Sequence, residues 1–226
     1  METLRHWWTL TVDAWPDLQE SGIETIQMTL WSGLWTLLGG LLLGVLLYLT
    51  STSGPRPSRI VNFPLGTIVN IGRSAPFVIL MVAIVPFTKL VAGTTLGTTA
   101  AIVPLSVAAI PFFARIVENA LLEVPPGLTE AARSMGATTV GLIGRVILPE
   151  ATPGLIRGFT VTVVTIVAYS AMAGTIGGGG LGDLAFRDGY QRFQTEYMIL
   201  PLVLLVIGVQ IIQFIGDRSA KILDRR

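Results

Sequence analysis

Long apolar runs alternate along the chain with short polar breaks marked by Gly or Pro. The runs lie at about Ile26 to Leu49, Thr67 to Phe87, Gly97 to Ala114, Gly158 to Gly174 and Tyr197 to Phe214, and TSTSGPRP at residues 50–57 is a turn-rich stop after the first. Each run approaches the roughly 20 apolar residues that a helix needs to cross the hydrocarbon core. In lipid only helices and closed barrels satisfy their own backbone. The pattern therefore predicts an all-α, polytopic membrane protein with five transmembrane helices. Gly39, Gly40 and Gly44 in the first run and Pro76, Pro86, Pro104 and Pro111 in the next two suit close helix approach and kinked helices around a path. No internal repeat is evident between the halves.

Composition agrees with the pattern. Hydrophobic residues make up 51% of the 226 and charged residues 13%, where a soluble domain carries about a quarter charged. Cys is absent and His6 is the only His. These counts exclude a disulfide framework, a thiolate site and a His cluster for a metal, so no metal or cofactor is expected. Among Trp side chains, His6 reads as a residue at headgroup level. Scattered basic residues and a net charge of +1 give no nucleic-acid stripe. METLRHWWTLTVDAWPDLQESG lacks the continuous apolar core of a signal peptide. A P-loop needs Gly-Lys-Ser/Thr, but Lys89 follows Thr88 and Lys221 follows Ala220.

Charge also orients the chain. One set of loops carries Arg56, Arg59, Arg115, Arg133, Arg145, Arg157, Arg218, Lys221, Arg225 and Arg226, and the other only Arg5, Lys89, Arg187 and Arg192. The positive-inside rule then places the N-terminus outside and the C-terminus inside. On this reading residues 1–21 form an external or interfacial segment, and residues 22–216 the transmembrane domain with a cytoplasmic loop at about 115–157. Residues 217–226 form a cytoplasmic tail. Asp and Glu read as confined to loops, which leaves no proton relay. GGGGLG at Gly177 to Gly182 fits G-x-G-x-x-G in form only: it follows an apolar run, and Asp183 comes at once instead of some 20 residues later. It reads as a flexible external turn.

The cytoplasmic loop holds EAARSMGATTVGLIGRVILPEATPGL from Glu130 to Leu155. Thr129 can cap a short helix with Glu130 in its first turn, and Gly136 suits its C-terminal cap. Thr138 can start a second helix, which Pro149 ends. Leu128, Ala131, Ala132 and Met135 fall on one helical stripe. Helices this short need something to pack against, either the chain's own spans or a partner.

These residues resemble a known signature. Glu130, Ala131, Ala132, Gly136, Leu148 and Pro149 match the Glu-Ala-Ala, three residues, Gly, nine residues, Ile-x-Leu-Pro motif of ABC importer permeases, with Val146 in place of Ile. Over about Gly22 to Gly216 the chain is similar to the permeases of methionine-uptake ABC importers. NIGRSAPFVIL around Arg73, AYSAMAGTIGGGGLG and IQFIGDR carry the likeness, with Ala168 and Ala173 standing where Gly is expected. The resemblance implies a type I importer permease fold and a path for L- and D-methionine. It implies partnership with a second copy, two ATP-binding cassette subunits and an external methionine-binding (lipo)protein. It also implies a coupling helix at about Thr129 to Gly136, with Glu130, Ala131, Ala132, Arg133, Met135 and Gly136 as coupling residues and ATP hydrolysis in the partner.

The fourth run sets Tyr169, Ser170 and Met172 among small residues. They either line the path, with Met172 near its gate, or hold helices together. Arg73 either snorkels to the interface or makes an electrostatic contact, near the path or with Glu118 or Glu123. A permease for another amino acid or small organic solute, and a self-contained channel or secondary carrier, are the alternative readings.

Overall fold

In the computed structural model the described residues are 2–224, with side chains from residue 14 onward. The roles read for Arg5, His6, Arg225 and Arg226 lie outside what is described. In chain order the helices are α1 (Glu2–Thr50), α2 (Arg59–Ser74), α3 (Phe77–Ala83), α4 (Val85–Ala92), α5 (Thr98–Leu122), α6 (Pro126–Ser134), α7 (Thr139–Leu142), α8 (Leu148–Gly174), α9 (Gly180–Leu184) and α10 (Thr195–Leu223). One π turn, Ile143–Ile147, joins α7 to α8, and another, Ala185–Tyr190, follows α9.

Among the described residues, four segments are long and apolar enough to cross a membrane: Ala14–Thr50, Thr98–Leu122, Thr139–Gly174 and Thr195–Leu223. Counted as one span, the broken pair α2 and α3 brings the number to five. The second run is thus not one helix, as its hydropathy suggests. Pro76 lacks the N–H that would continue the ladder, and it disfavours helical geometry at Ala75. Pro86 instead sits in the first turn of α4, and Pro104 and Pro111 lie within α5 without interrupting it. Residues 2–21 belong to α1, and residues 217–223 continue α10.

The chain divides into two compact units. The first comprises Met1–Leu34, Ala75–Ala108 and Val163–Ile212. One of its cores joins Met28, Phe77, Ala101, Leu105 and Ala173, with Tyr169 packed against it. Another joins Ala14, Leu18, Leu181 and Leu184.

The second unit comprises Trp35–Ser74, Ala109–Thr162 and Gln213–Arg226. Here the glycines of α1 do what small residues do in lipid, letting helices touch. A Cβ at Gly40 would come within 2.7 Å of the Phe113 ring, and one at Gly44 within 2.6 Å of the Ala114 carbonyl oxygen. Gly158 and Gly216 allow equally close contact with Ile116 and Thr160. Phe113 and Phe159 meet edge to face at 5.3 Å, and the core continues through Tyr48, Val117, Leu121, Val124, Leu142 and Ile147.

Candidate functional site

The motif-bearing segment of the second unit begins at Pro125, whose extended backbone caps α6, and at Pro126 in the first helical position. Proline is preorganised there because its missing N–H would be idle anyway. The start is therefore four residues earlier than a Thr129 cap requires. Thr129 lies inside the helix and donates from its hydroxyl to the Pro126 carbonyl at 2.7 Å, and Glu130 lies beyond the first turn.

The C-terminal end follows the sequence closely. Gly136 has φ +79, its N–H donates to the Arg133 carbonyl at 2.9 Å, and that of Ala137 donates to Ala132 at 3.0 Å. This is the paired-bond Gly cap. Thr138 then caps α7, its hydroxyl accepting from the Gly141 N–H at 3.2 Å. Pro149 does not end this second helix. The wider π turn before it absorbs the bond that proline cannot make, and the chain runs on into α8.

The apolar stripe divides into two faces. Ala132, only 4% exposed, joins Leu142, Ile143 and Ile147 in the core and fixes the segment to its unit. Leu128, Ala131, Met135 and Val140 face outward, with Met135 and Val140 each 82% exposed. Glu130 and Arg133 are exposed among them. An apolar patch edged by both signs of charge, on a short helix held from behind, is the chemistry of a docking surface.

In the first unit, near the end of α8, Tyr169 stacks on Phe77 with centroids 4.5 Å apart and planes 4° from parallel. Ser170 is 1% exposed, and its hydroxyl donates to its own helix at the Val167 carbonyl, 2.8 Å away. Met172 is 45% exposed. The three thus divide into a packed aromatic, a buried hydroxyl and an open thioether.

Arg73 is exposed in the last turn of α2. It does not pair with Glu118, because Arg115 holds that carboxylate at 2.5 Å while donating to the Asn70 side-chain oxygen at 2.8 Å. Acidic residues are also not confined to loops: Glu118 lies within α5 and is 6% exposed. Its charge is tolerated because Arg115, three residues earlier, compensates it.

The sequence reading also missed a contact in the first unit. Gly180 donates its N–H to the Glu24 carboxylate at 2.6 Å, and Leu181 donates to the Thr25 hydroxyl at 2.9 Å. The glycine turn is anchored, not flexible. Beyond it, Asp183 and Asp188 pair with Arg187, and Asp188 with Arg192 at 2.6 Å. The Asp188 hydrogen bond, aided by the Asp183 charge, holds the Arg187 guanidinium still more firmly protonated.

Residues 40–226 match the family described as the inner membrane component of binding-protein-dependent transport systems. The chain belongs to this family. It is 50% identical over 224 residues to a probable D-methionine transport system permease protein of Vibrio cholerae, covering 99% of this chain and 98% of that one. It is 45% identical over 181 residues to the methionine import system permease protein of Bacillus subtilis, covering 80% and 82%. It superposes with TM-score 0.90 and 48% identity on a chain of the MetNI methionine ABC transporter solved in an inward-facing conformation, covering 92% and 96%. The permease fold expected from the motif is therefore the observed one, with the broken α2–α3 pair as its least regular span.

Proposed function

We propose that this chain is the transmembrane permease of an ATP-driven methionine importer. Two copies enclose the path, two separate ATPase subunits drive it, and an external binding protein delivers the substrate. The observation that carries this reading is the outward apolar face of α6, with Leu128, Ala131 and Met135 exposed while Ala132 secures the helix from behind. Relatives named for methionine and for D-methionine transport, at 45% and 50% identity, support the substrate and its two stereoisomers.

In this mechanism Glu130, Ala131, Arg133 and Met135 lie in a cleft of the ATPase, and Ala132 and Gly136 give the helix its seat and its end. When ATP closes the two motor subunits, α6 moves with its cleft as a rigid body. The motion passes through α7 and the π turn into α8, whose last turns carry Tyr169, Ser170 and Met172. Alternating access follows from the tilt of the spans, with Met172 near the gate. Arg73, exposed at the end of α2, serves at the membrane interface. The orientation is N-terminus out and C-terminus in. Pairing of Arg187 and Arg192 with Asp183 and Asp188 strengthens it, because the cations on the outer side are locally neutralised. The domain division is then residues 22–216 for the transporter, 115–157 for the coupling loop, 1–21 as outer segment and 217–226 as inner tail.

Uptake of labelled L- and D-methionine into liposomes holding the permease and its ATPase tests the reading. Accumulation requires ATP and the loaded binding protein, and Glu130→Lys abolishes it while leaving insertion intact. ATP-independent flux through the permease alone would instead identify a channel or carrier.

A further inference from the structure

The run Gly177–Gly182 has a structural role beyond a loop. Gly179 and Gly180 have φ +79 and +81, a region that side-chain-bearing residues seldom occupy. Each is also crowded. A Cβ at Gly179 would lie 2.8 Å from the Glu24 carboxylate, and one at Gly180 would lie 2.7 Å from both the Thr25 hydroxyl and the Met28 methyl. The glycines bring the backbone against α1, where two side chains meet two successive amides. Glu24 accepts from Gly180 at 2.6 Å and Thr25 from Leu181 at 2.9 Å, across 156 positions of sequence. The Thr25 hydroxyl in turn donates to the Ser21 carbonyl at 2.9 Å, so its one proton is used and its lone pair faces the turn. Gly177 ties the same turn to the start of α5, its carbonyl accepting from the Gly97 N–H at 2.8 Å.

This junction adjoins the end of α8. Gly178 donates to the Ala173 carbonyl at 2.9 Å, and Ala173 shares a core with Met28, Phe77 and Tyr169. Displacing the turn from α1 would therefore disturb the packing behind Tyr169 and Met172.

We propose that Glu24 and Thr25 are positioning residues of the outer gate, a clasp that holds the Gly177–Gly182 turn on α1 while the path is shut to the outside. The proposal rests on the permease reading. The clasp is seen in a chain that superposes on an inward-facing transporter, the state in which the outer side is shut. A bond between a carboxylate and a backbone amide is stronger than a neutral one, yet a single such bond remains within what a docking protein can offset. It can therefore hold the gate without locking it.

The test uses the complete complex in liposomes, measuring ATP hydrolysis with and without methionine-loaded binding protein, together with uptake. Glu24→Ala should raise hydrolysis in the absence of binding protein about tenfold, the factor that one charge-assisted hydrogen bond places on a two-state equilibrium, and lower the methionine taken up per ATP. Glu24→Gln keeps an acceptor oxygen and should restore most of the coupling, and Thr25→Val should give a smaller loss than Glu24→Ala. An assembled Glu24→Ala complex with unchanged hydrolysis and stoichiometry overturns the proposal. So does failure of Glu24→Ala to assemble while Glu24→Gln and Thr25→Val both behave as the wild type, since that pattern marks a purely structural bond. If the wild-type complex is not stimulated by loaded binding protein at all, the permease reading fails first and the clasp with it.

Discussion

Two glycine-rich segments, 126–147 and 174–182, use the same residue for opposite ends. Around α6, a Cβ added at Gly127, Gly136 or Gly144 would meet nothing within 4 Å. In the turn after α8, a Cβ at Gly174, Gly178, Gly179, Gly180 or Gly182 would come within 2.8 Å of atoms of the turn itself, of α8 or of α1. Met135 of the first segment is 82% exposed, and Leu181 of the second is 5% exposed. The first segment is seated by Ala132, Leu142 and Ile147 and leaves Leu128, Met135 and Val140 exposed. The second is held on α1 by Glu24 and Thr25 and packs on α8 through its other glycines, so its contacts are internal. On the proposed reading, an open surface that receives motion and a clasp that holds it call for these two kinds of packing.

The contrast fails if substitutions in the two segments behave alike. The largest effect belongs to the closed segment. In Gly182→Val the side chain collides with the Ala171 backbone, and we expect a loss above about 3 kcal/mol, seen as absence of monodisperse protein on size exclusion. Met135→Ser removes an exposed thioether from the docking patch. It should leave thermal stability unchanged and weaken binding of the ATPase subunit about tenfold, measurable by titration in detergent. Gly136→Ala strains only the left-handed cap, at about 1 kcal/mol, so a modestly lowered melting temperature with intact insertion is expected. Gly127→Ala, in the open first turn of α6, should stabilise by at most about 1 kcal/mol and leave transport unchanged. A severe defect from that substitution would show that this face is packed.

Local features of the fold were legible in the sequence. The Gly136 cap and the Thr138 cap depend on residues within a turn of each other, and both occur where the pattern puts them. The apolar runs likewise report spans, because burial in lipid needs no specific partner. What escaped depends on contacts distant in sequence or on competition between local signals. Pro125 and Pro126 outcompete Thr129 as the start of α6. The π turn at Ile143–Ile147 carries the chain past Pro149. Glu118 is stable inside α5 only with Arg115 beside it, and Arg115 also reaches Asn70 on α2. The glycine run suggests mobility when read alone, and its anchor on Glu24 and Thr25 is visible only once α1 is beside it.

The central claim is that the exposed face of α6 is the seat of a separate motor. Native mass spectrometry of the tagged chain, extracted gently from its own membrane, tests it most directly. The account predicts a complex of two copies with two ATPase subunits, which Glu130→Lys reduces to the permease alone. A lone chain or homo-oligomer, without an ATPase even after crosslinking, would contradict it.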